Sequence, residues 1–350
     1  MKIKDFCTFA PKSKIKAGQA IKDGQYMFFT SSKDENKRYI DYLYDGEGII
    51  MGTGGNATLH YYKGKYAVST DCVVLNPDER IRCKYLYYFF LANMAILEAG
   101  FKGAGLKHTN RKYIENIVVS KLPTFDEQDS VIKILDKISD IIRFRNLELK
   151  VFDNLIKARF VEMFGTYPGN EKGWETGTIR DLVTDVHYGS SRKAAKGTEG
   201  KYPYLRMNNI TYSGELDLTD VKTINIPDKE LDKCTVQKGD LLFNRTNSKE
   251  LVGKTCVYNK DDQMVLAGFI IRVRLNNRAL PEFVSTFLNA DFSKNMLANM
   301  CKTAIGQANI NAQEMQNIGI YIPPTSLQKE FCSFKSDVNK SKFALINDIL

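Results

Sequence analysis

The longest unbroken pattern in the chain is helical. From Asp126 to about Glu162 there is no proline or glycine. Val131, Leu135, Ile138, Ile142, Arg145, Leu149, Phe152, Ile156, Arg159 and Met163 recur there at 3.5-residue spacing, and eight of the ten are apolar. A sustained 3.5-residue repeat predicts a coiled-coil seam. Pro123 punctuates the start, and Asp126 and Glu127 complement the helix dipole in the first turn. At about 1.5 Å per residue the predicted rod is ~55 Å long. A second seam, Leu327, Phe331, Phe334, Val338 and Leu345, runs on to Leu350.

The apolar stretches outside the rods come in two sets, as in a duplicated chain. At an offset of 201, Gly105, Asn110, Asn116 and Ile117 fall on Gly306, Asn311, Asn317 and Ile318. At an offset of 200, Pro123 and Gln128 fall on Pro323 and Gln328, and position 150 on position 350. The second rod therefore has no counterpart of residues 151–165. Each half carries a helix-like stretch before its glycine loop, at Tyr85–Asn93 and Glu282–Ala290. Each also has a Gly-led strand, Gly48-Ile-Ile-Met-Gly or Gly239-Asp-Leu-Leu-Phe, then a polar loop and a further strand starting at Tyr66 or Gly253. The Gly- and Pro-rich stretch Met163–Trp174 reads as a linker.

Length and composition agree with two modest globular modules: 350 residues, 43% hydrophobic and 26% charged. The formal net charge of +9 favours a polyanionic partner, with capacity for roughly 6–10 phosphates. Seven scattered cysteines without CxxC spacing point to a reducing compartment and to neither a disulfide framework nor a zinc site. With no apolar leader after Met1 and no run of 18 apolar residues, the expectation is a cytoplasmic protein without membrane contact.

Motifs for chemistry fail one by one. Val252-Gly-Lys-Thr255 resembles the end of a phosphate loop, but the upstream glycine would be at position 248, which is Ser. It reads as a strand-flanking turn. His60, His108 and His187 lie far apart without a Ser or Cys partner, and no Asp…Glu-x-Lys nuclease pair is in place. No catalytic residue and no metal ligand is predicted.

What remains are polar loops mixing Arg and Lys with Asn, Gln, Ser and aromatics. Major-groove reading needs bidentate groups, Arg for guanine and Asn or Gln for adenine, while small residues and cations meet phosphates. The candidate DNA-binding residues in the first module are Ser31, Ser32, Lys33, Thr53, Asn56, Lys107, His108 and Asn110. In the second they are Tyr188, Ser190, Ser191, Arg192, Lys193, Arg206, Asn208, Arg245, Asn247, Gln307 and Asn309. The plain alternative for any one of them is a solvated turn. For the chain as a whole the alternatives are a nucleic-acid enzyme with a built-in recognition domain, or a structural assembly protein.

This order of parts resembles the specificity subunits of Type I restriction–modification systems. The family closes each module with a phrase like Pro-Leu-Pro-Pro-x-x-x-Gln, and here stand Lys121-Leu-Pro-Thr-Phe-Asp-Glu-Gln128 and Ile322-Pro-Pro-Thr-Ser-Leu-Gln328. Tyr202-Pro-Tyr-Leu-Arg206, Gly239–Thr246 and Gly306–Ile310 also look like family phrases. The resemblance implies an α+β fold: two target-recognition domains, each small and mixed with a β-rich core, joined by two long antiparallel coiled-coil helices. The expected boundaries are 1–122 and 166–322 for the recognition domains, 123–165 for the first spacer helix and 323–350 for a short second one. It implies that each module reads one half of a bipartite double-stranded DNA site, with each wrong base pair costing roughly 1–3 kcal/mol. The helices would set the spacer and dock two modification (methyltransferase) subunits, which restriction (motor and nuclease) subunits join. This chain would be non-catalytic and bind no cofactor, with S-adenosylmethionine, ATP and Mg on the partner subunits.

Overall fold

The computed structural model describes the chain apart from residues 120–121, 196–198, 305–306 and 348–350. Lys121, Gly306 and Leu350, used above in the repeat, the phrases or the seam, lie outside the described residues. The chain divides into two compact units, Met1–Arg143 and Phe144–Leu350, with the break inside one helix.

Unit one contains β1 (Cys7–Phe9), β2 (Tyr26–Phe29), β3 (Arg38–Tyr39), β4 (Tyr44–Gly52), β5 (Leu59–Val68) and β6 (Cys72–Pro77). Helices α1 (Cys83–Ala92), α2 (Met94–Glu98), α3 (Arg111–Glu115) and the start of α4 (Phe125–Phe164) follow. The strands form one sheet in the order β1-β6-β4-β5-β2-β3. Ile49, Ile50 and Met51 are buried in succession because both faces of β4 are covered. Ile49 and Met51 join Leu86 and Phe90 of α1 in one core. Ile50 packs on the other side with Phe29, Val68 and Val74. Leu86 and Phe90 stand four residues apart on one helix face, and each full burial contributes roughly 1.5–3 kcal/mol.

Unit two takes up the chain through β7 (Glu175–Thr178), β8 (Val183–Tyr188), β9 (Tyr202–Leu205), β10 (Lys222–Ile224), α5 (Asp228–Cys234), β11 (Thr235–Val236), β12 (Leu241–Asn244) and β13 (Thr246–Asn247). It continues with β14 (Thr255–Val257), β15 (Met264–Leu266), β16 (Ile270–Leu275), α6 (Pro281–Asn289) and α7 (Asp291–Met300). It ends with β17 (Lys302–Ala304), β18 (Gln307–Asn309), α8 (Ala312–Gln316), β19 (Gly319–Ile322) and α9 (Thr325–Asn347). One of its sheets runs β14-β12-β16-β8. Read backwards, that is the order β1-β6-β4-β5 of unit one. Leu241 and Phe243 face Phe283 and Phe287 of α6, while Leu242 packs with Cys256 on the opposite face.

Strand register makes the duplication residue-specific. Ile49 pairs with Leu75 and Met51 with Val73, as Leu241 pairs with Val273 and Phe243 with Ile271. Two of the sequence alignments are corrected by this. Gly48 corresponds to Asp240 and not to Gly239. The partner of β14 is Leu59–Tyr61, at the start of β5, since Tyr61 faces Ile49 as Val257 faces Leu241. The stretch from Tyr66 instead serves β2, through a parallel pairing that starts at Met27.

The repeated glutamines are explained by hydrogen bonds. Gln128 is buried, accepts from the Arg82 N–H at 2.8 Å and donates to the Pro123 carbonyl at 2.9 Å. Gln328 is buried, accepts from the Leu280 N–H at 2.8 Å and donates to the carbonyls of Pro323 (2.8 Å) and Arg278 (3.0 Å). Arg82 and Leu280 are the N-caps of α1 and α6, so each glutamine ties a long helix to a free N–H at the start of its module's helix.

The end of α4 pairs with α9 inside unit two. Asp153 meets Lys342 and Arg159 meets Glu330, so the two helices run antiparallel. Their shared core is Ile156, Phe160, Phe164 and Phe331, with Phe152 and Met163 of the expected seam packed at its edge, while Arg159 of that seam pairs with Glu330 instead. An α-helix turns every 3.6 residues, so a 3.5-residue register drifts off the buried face along its length. Nearer its start the seam of α4 is open: Val131, Ile138 and Ile142 are exposed. Residues 163–174 form a packed corner. There the Trp174 indole donates to the Phe164 carbonyl at 3.0 Å, and Tyr167 packs edge-on against Phe287. Val252-Gly-Lys-Thr255 is structural, with the Lys254 ammonium buried against the carbonyls of Met207 and Ile210.

Candidate nucleic-acid interface

Both units build the same backbone cradle at the end of their central strand. The Gly52 N–H donates to the Thr58 carbonyl at 3.1 Å, as Asn244 does to Lys254 at 2.8 Å. Thr53 N–H reaches the Asp71 carbonyl at 2.8 Å, as Arg245 reaches Phe269 at 3.0 Å. Thr109 N–H reaches Thr53 at 3.0 Å, as Ile310 reaches Arg245 at 2.9 Å. Gly54 bridges His108, as Thr246 pairs with Asn309. Thr53, Asp71 and His108 thus stand where Arg245, Phe269 and Asn309 stand in unit two.

In unit one the cradle gathers Ser31, Thr53, Lys107 and His108. The hydroxyls of Ser31 and Thr53 both donate to the Asp71 carbonyl, at 2.6 and 3.0 Å. The Gly54 N–H donates to Ser31 Oγ at 3.2 Å, and Gly55 N–H to the Lys107 carbonyl at 2.8 Å. Asn56, Lys107 and His108 are exposed at its rim. Ser32 and Lys33 lie in the adjoining loop. There Lys37 donates to Thr30 and Ser32, and buried His60 contacts the Ser32 carbonyl and Glu35. Asn110 is committed locally: its side chain caps α3 by accepting from the Tyr113 N–H at 2.9 Å.

In unit two the cradle gathers Tyr188, Ser190, Arg245, Asn247, Gln307 and Asn309. The Arg245 guanidinium lies 4.9 Å from the Tyr188 ring centroid, a cation–π contact that helps orient its planar donor fork. Its Nε is buried without a partner among the described residues. Thr246 Oγ1 donates to Asn309 Oδ1 at 3.1 Å, and Asn247 Nδ2 to Asn244 Oδ1 at 3.1 Å. Ser190 bridges Ala267, next to Phe269. Gln307 is exposed.

The remaining candidates sit outside this cluster. Arg192 holds Glu230 through two bonds of 2.7 and 3.1 Å, while Ser191 and Lys193 are exposed beside it. Arg206 pairs with Asp220 at 2.8 Å, with Asn208 exposed nearby. Hydrogen bonds from Arg192 hold the Glu230 carboxyl below the ordinary carboxylate range, and Arg206, then Lys222, do the same for Asp220. Both acids are charged at neutral pH, so a phosphate meeting either arginine competes with an existing partner.

Sequence reasoning missed Asp71 and Phe269. Neither lies in a polar loop of the expected composition, and only the cross-strand hydrogen bonds bring them to the cradle. Among the described residues no cluster of His, Cys, Asp and Glu is placed to hold a metal ion, and no helix is long and apolar enough to cross a membrane.

Comparison with known proteins gives one consistent answer. A family described as "Type I restriction modification DNA specificity domain" matches residues 1–151 and 171–350. The Type I restriction enzyme EcoKI specificity subunit of Escherichia coli (strain K12) is 24% identical over 341 residues, 92% of this chain and 69% of that protein. The putative type I restriction enzyme MjaX specificity subunit of Methanocaldococcus jannaschii is 28% identical over 167 residues, 47% of this chain and 39% of its own length. Among solved structures, the Type I restriction–modification S subunit from M. genitalium has the same fold. It aligns with a TM-score of 0.58 at 12% identity, covering 100% of this chain and 91% of that one. With both of its units matched, the chain belongs to the Type I restriction–modification DNA specificity family.

Proposed function

We propose that this chain, the DNA specificity subunit of a Type I restriction–modification system, reads a bipartite site with one cradle per half-site. The recognition domains are residues 1–122 and 166–322, and the helices 123–165 and 323–350 separate them. The chain recognises and does no chemistry. Its contribution is differential binding free energy, roughly 1–3 kcal/mol per base pair. Two modification subunits carrying S-adenosylmethionine dock on the helices and flip the target adenine. Restriction subunits supply ATP- and Mg-dependent translocation and cleavage, and the complex works in the cytoplasm.

One observation carries this reading: the two cradles share their backbone bonds while the side chains at their lips differ, Thr53, Asp71 and His108 in one against Arg245, Phe269 and Asn309 in the other. A scaffold kept constant under changed donors and acceptors is what two unlike half-sites require. Arg245 supports a guanine or phosphate contact, and Gln307, Asn247 and Asn309 offer amides of the kind that read adenine.

The test is methylome sequencing of cells expressing the chain with its modification subunit. Exchange of residues 1–122 is expected to change one half-site only, and exchange of 166–322 the other. A swap that changes both halves, or neither, overturns the modular reading.

A further inference from the structure

Phe269 stands out at the lip of the unit two cradle. It is 51% exposed between Ala267 and Ile270, which are 4% and 0% exposed. A lone exposed phenylalanine means nothing by itself. Here its backbone is fixed from three sides. Ile270 N–H closes the turn on the Ala267 carbonyl at 2.9 Å, Gly268 N–H donates to Ser190 at 2.7 Å, and the Phe269 carbonyl accepts from Arg245 at 3.0 Å. A Cβ on Gly268 would sit 3.2 Å from the Ser190 carbonyl oxygen, so the turn packs closely on that strand end. The residue that supplies the guanidinium and the residue that supplies the ring are therefore held in one hydrogen-bonded unit.

The chemistry of base edges distinguishes what such a ring gains. Three of the four bases offer only donors and acceptors in the major groove, and thymine alone adds a methyl group. An apolar ring gains from covering that methyl and gains little from the other edges. In unit one the same position is Asp71, whose carboxylate has no use for a methyl group.

We propose that Phe269 is a specificity-determining residue that packs on the 5-methyl group of a thymine in the half-site read by unit two. The inference rests on the reading of unit two as a DNA-recognition module, and the experiment separates the two. The half-site of unit two is first assigned by exchanging residues 166–322. The full chain in complex with modification subunits is then titrated with duplexes in which each thymine of that half-site, on either strand, is replaced by uracil. One replacement is expected to weaken binding about fourfold, the contribution of one buried methyl group. Phe269→Ala is expected to bind the thymine and uracil duplexes equally, and Phe269→Leu to keep part of the difference. Both variants should keep the other half-site and the wild-type unfolding midpoint, because the side chain is exposed. A half-site without thymine, no effect of any replacement, or an undiminished difference in Phe269→Ala overturns the inference while leaving the modular reading intact. If the exchange changes no half-site, the modular reading itself fails.

Discussion

Unit one and unit two carry one scaffold with two surfaces. The strand order, the cradle bonds and the buried glutamine recur, yet Thr53, Asp71 and His108 become Arg245, Phe269 and Asn309. Their outer strands also differ. Unit one extends its core sheet with β2 and β3, while unit two places β9, β10, β11 and β15 in a separate sheet. Backbone hydrogen bonds buried beside a core are costly to lose, so a duplicated module keeps them. Side chains at an exposed lip carry no such penalty, so they are free to answer to a different ligand.

The largest expected effect tests the shared scaffold. Gln328→Leu leaves a buried N–H and two carbonyls without partners, and is expected to destabilise unit two by about 3 kcal/mol. Gln128→Leu removes two such bonds and is expected to cost unit one about 2 kcal/mol. Urea unfolding followed by hydrogen exchange in each unit separates the two. A loss below about 0.5 kcal/mol in either unit would break the equivalence of the clamps.

Next comes the contrast at the lip. Arg245→Ala is expected to lower affinity for the specific site by roughly 10- to 100-fold, with relaxed reading confined to the half-site of unit two. Thr53→Ala, at the matching position, removes one hydroxyl already bonded to Asp71, and is expected to cost less than about fivefold. Fluorescence titration across a salt series measures both. A larger loss for Thr53→Ala would reverse the proposed roles.

A smaller effect probes how tightly the unit one cradle is built. A Cβ at Gly52 would lie 2.2 Å from Thr58 Oγ1 and 2.9 Å from the Ser31 backbone. Gly52→Ala is therefore expected to destabilise unit one by about 1–2 kcal/mol. The matching position in unit two already carries Asn244, so that cradle has the room which unit one lacks. Unchanged unfolding of the variant would show that the strand end yields.

The smallest effect concerns α7, ten residues long where its counterpart α2 has five. Burial, with Lys254 and then Lys157 nearby, pulls the Lys294 ammonium down from 10.5 to about 8. Between those two values the unfolded chain holds more protons than the folded one, so this group makes stability rise with pH from about 8 to 10.5. Lys294→Met is expected to flatten that rise, measured as unfolding midpoints from pH 7 to 10. An unaltered slope would assign the rise to other groups.

Much of the fold is legible along the chain, and the reason is local. The long helix α4, the helices at 85–93 and 282–290 and the proline–glutamine phrase are patterns of neighbouring residues, and each forms the expected element, although the apolar seam of α4 is buried only near its end. Register between strands was less legible. The two glycine-led strands align by one residue differently from their composition, and Leu59–Tyr61, not the run from Tyr66, matches β14. Both errors come from judging equivalence by residue type where hydrogen-bond partners decide it.

The site divides along the same line. The sequence by itself determined which loops are polar, which carry arginine and amides, and that they recur in two sets, because those are properties of composition and order. Only the tertiary structure decided which of these residues meet. It joins residues 53–55 to 107–109 and 245–246 to 309–310 through the backbone, commits Asn110 to a helix cap, and pairs Arg192 and Arg206 with acids. It also brings Asp71 and Phe269 to the two lips. Apart from the local Asn110 cap, these partners lie from 14 to 65 residues apart, and nothing in a local stretch records a hydrogen bond whose other half arrives from a distant segment.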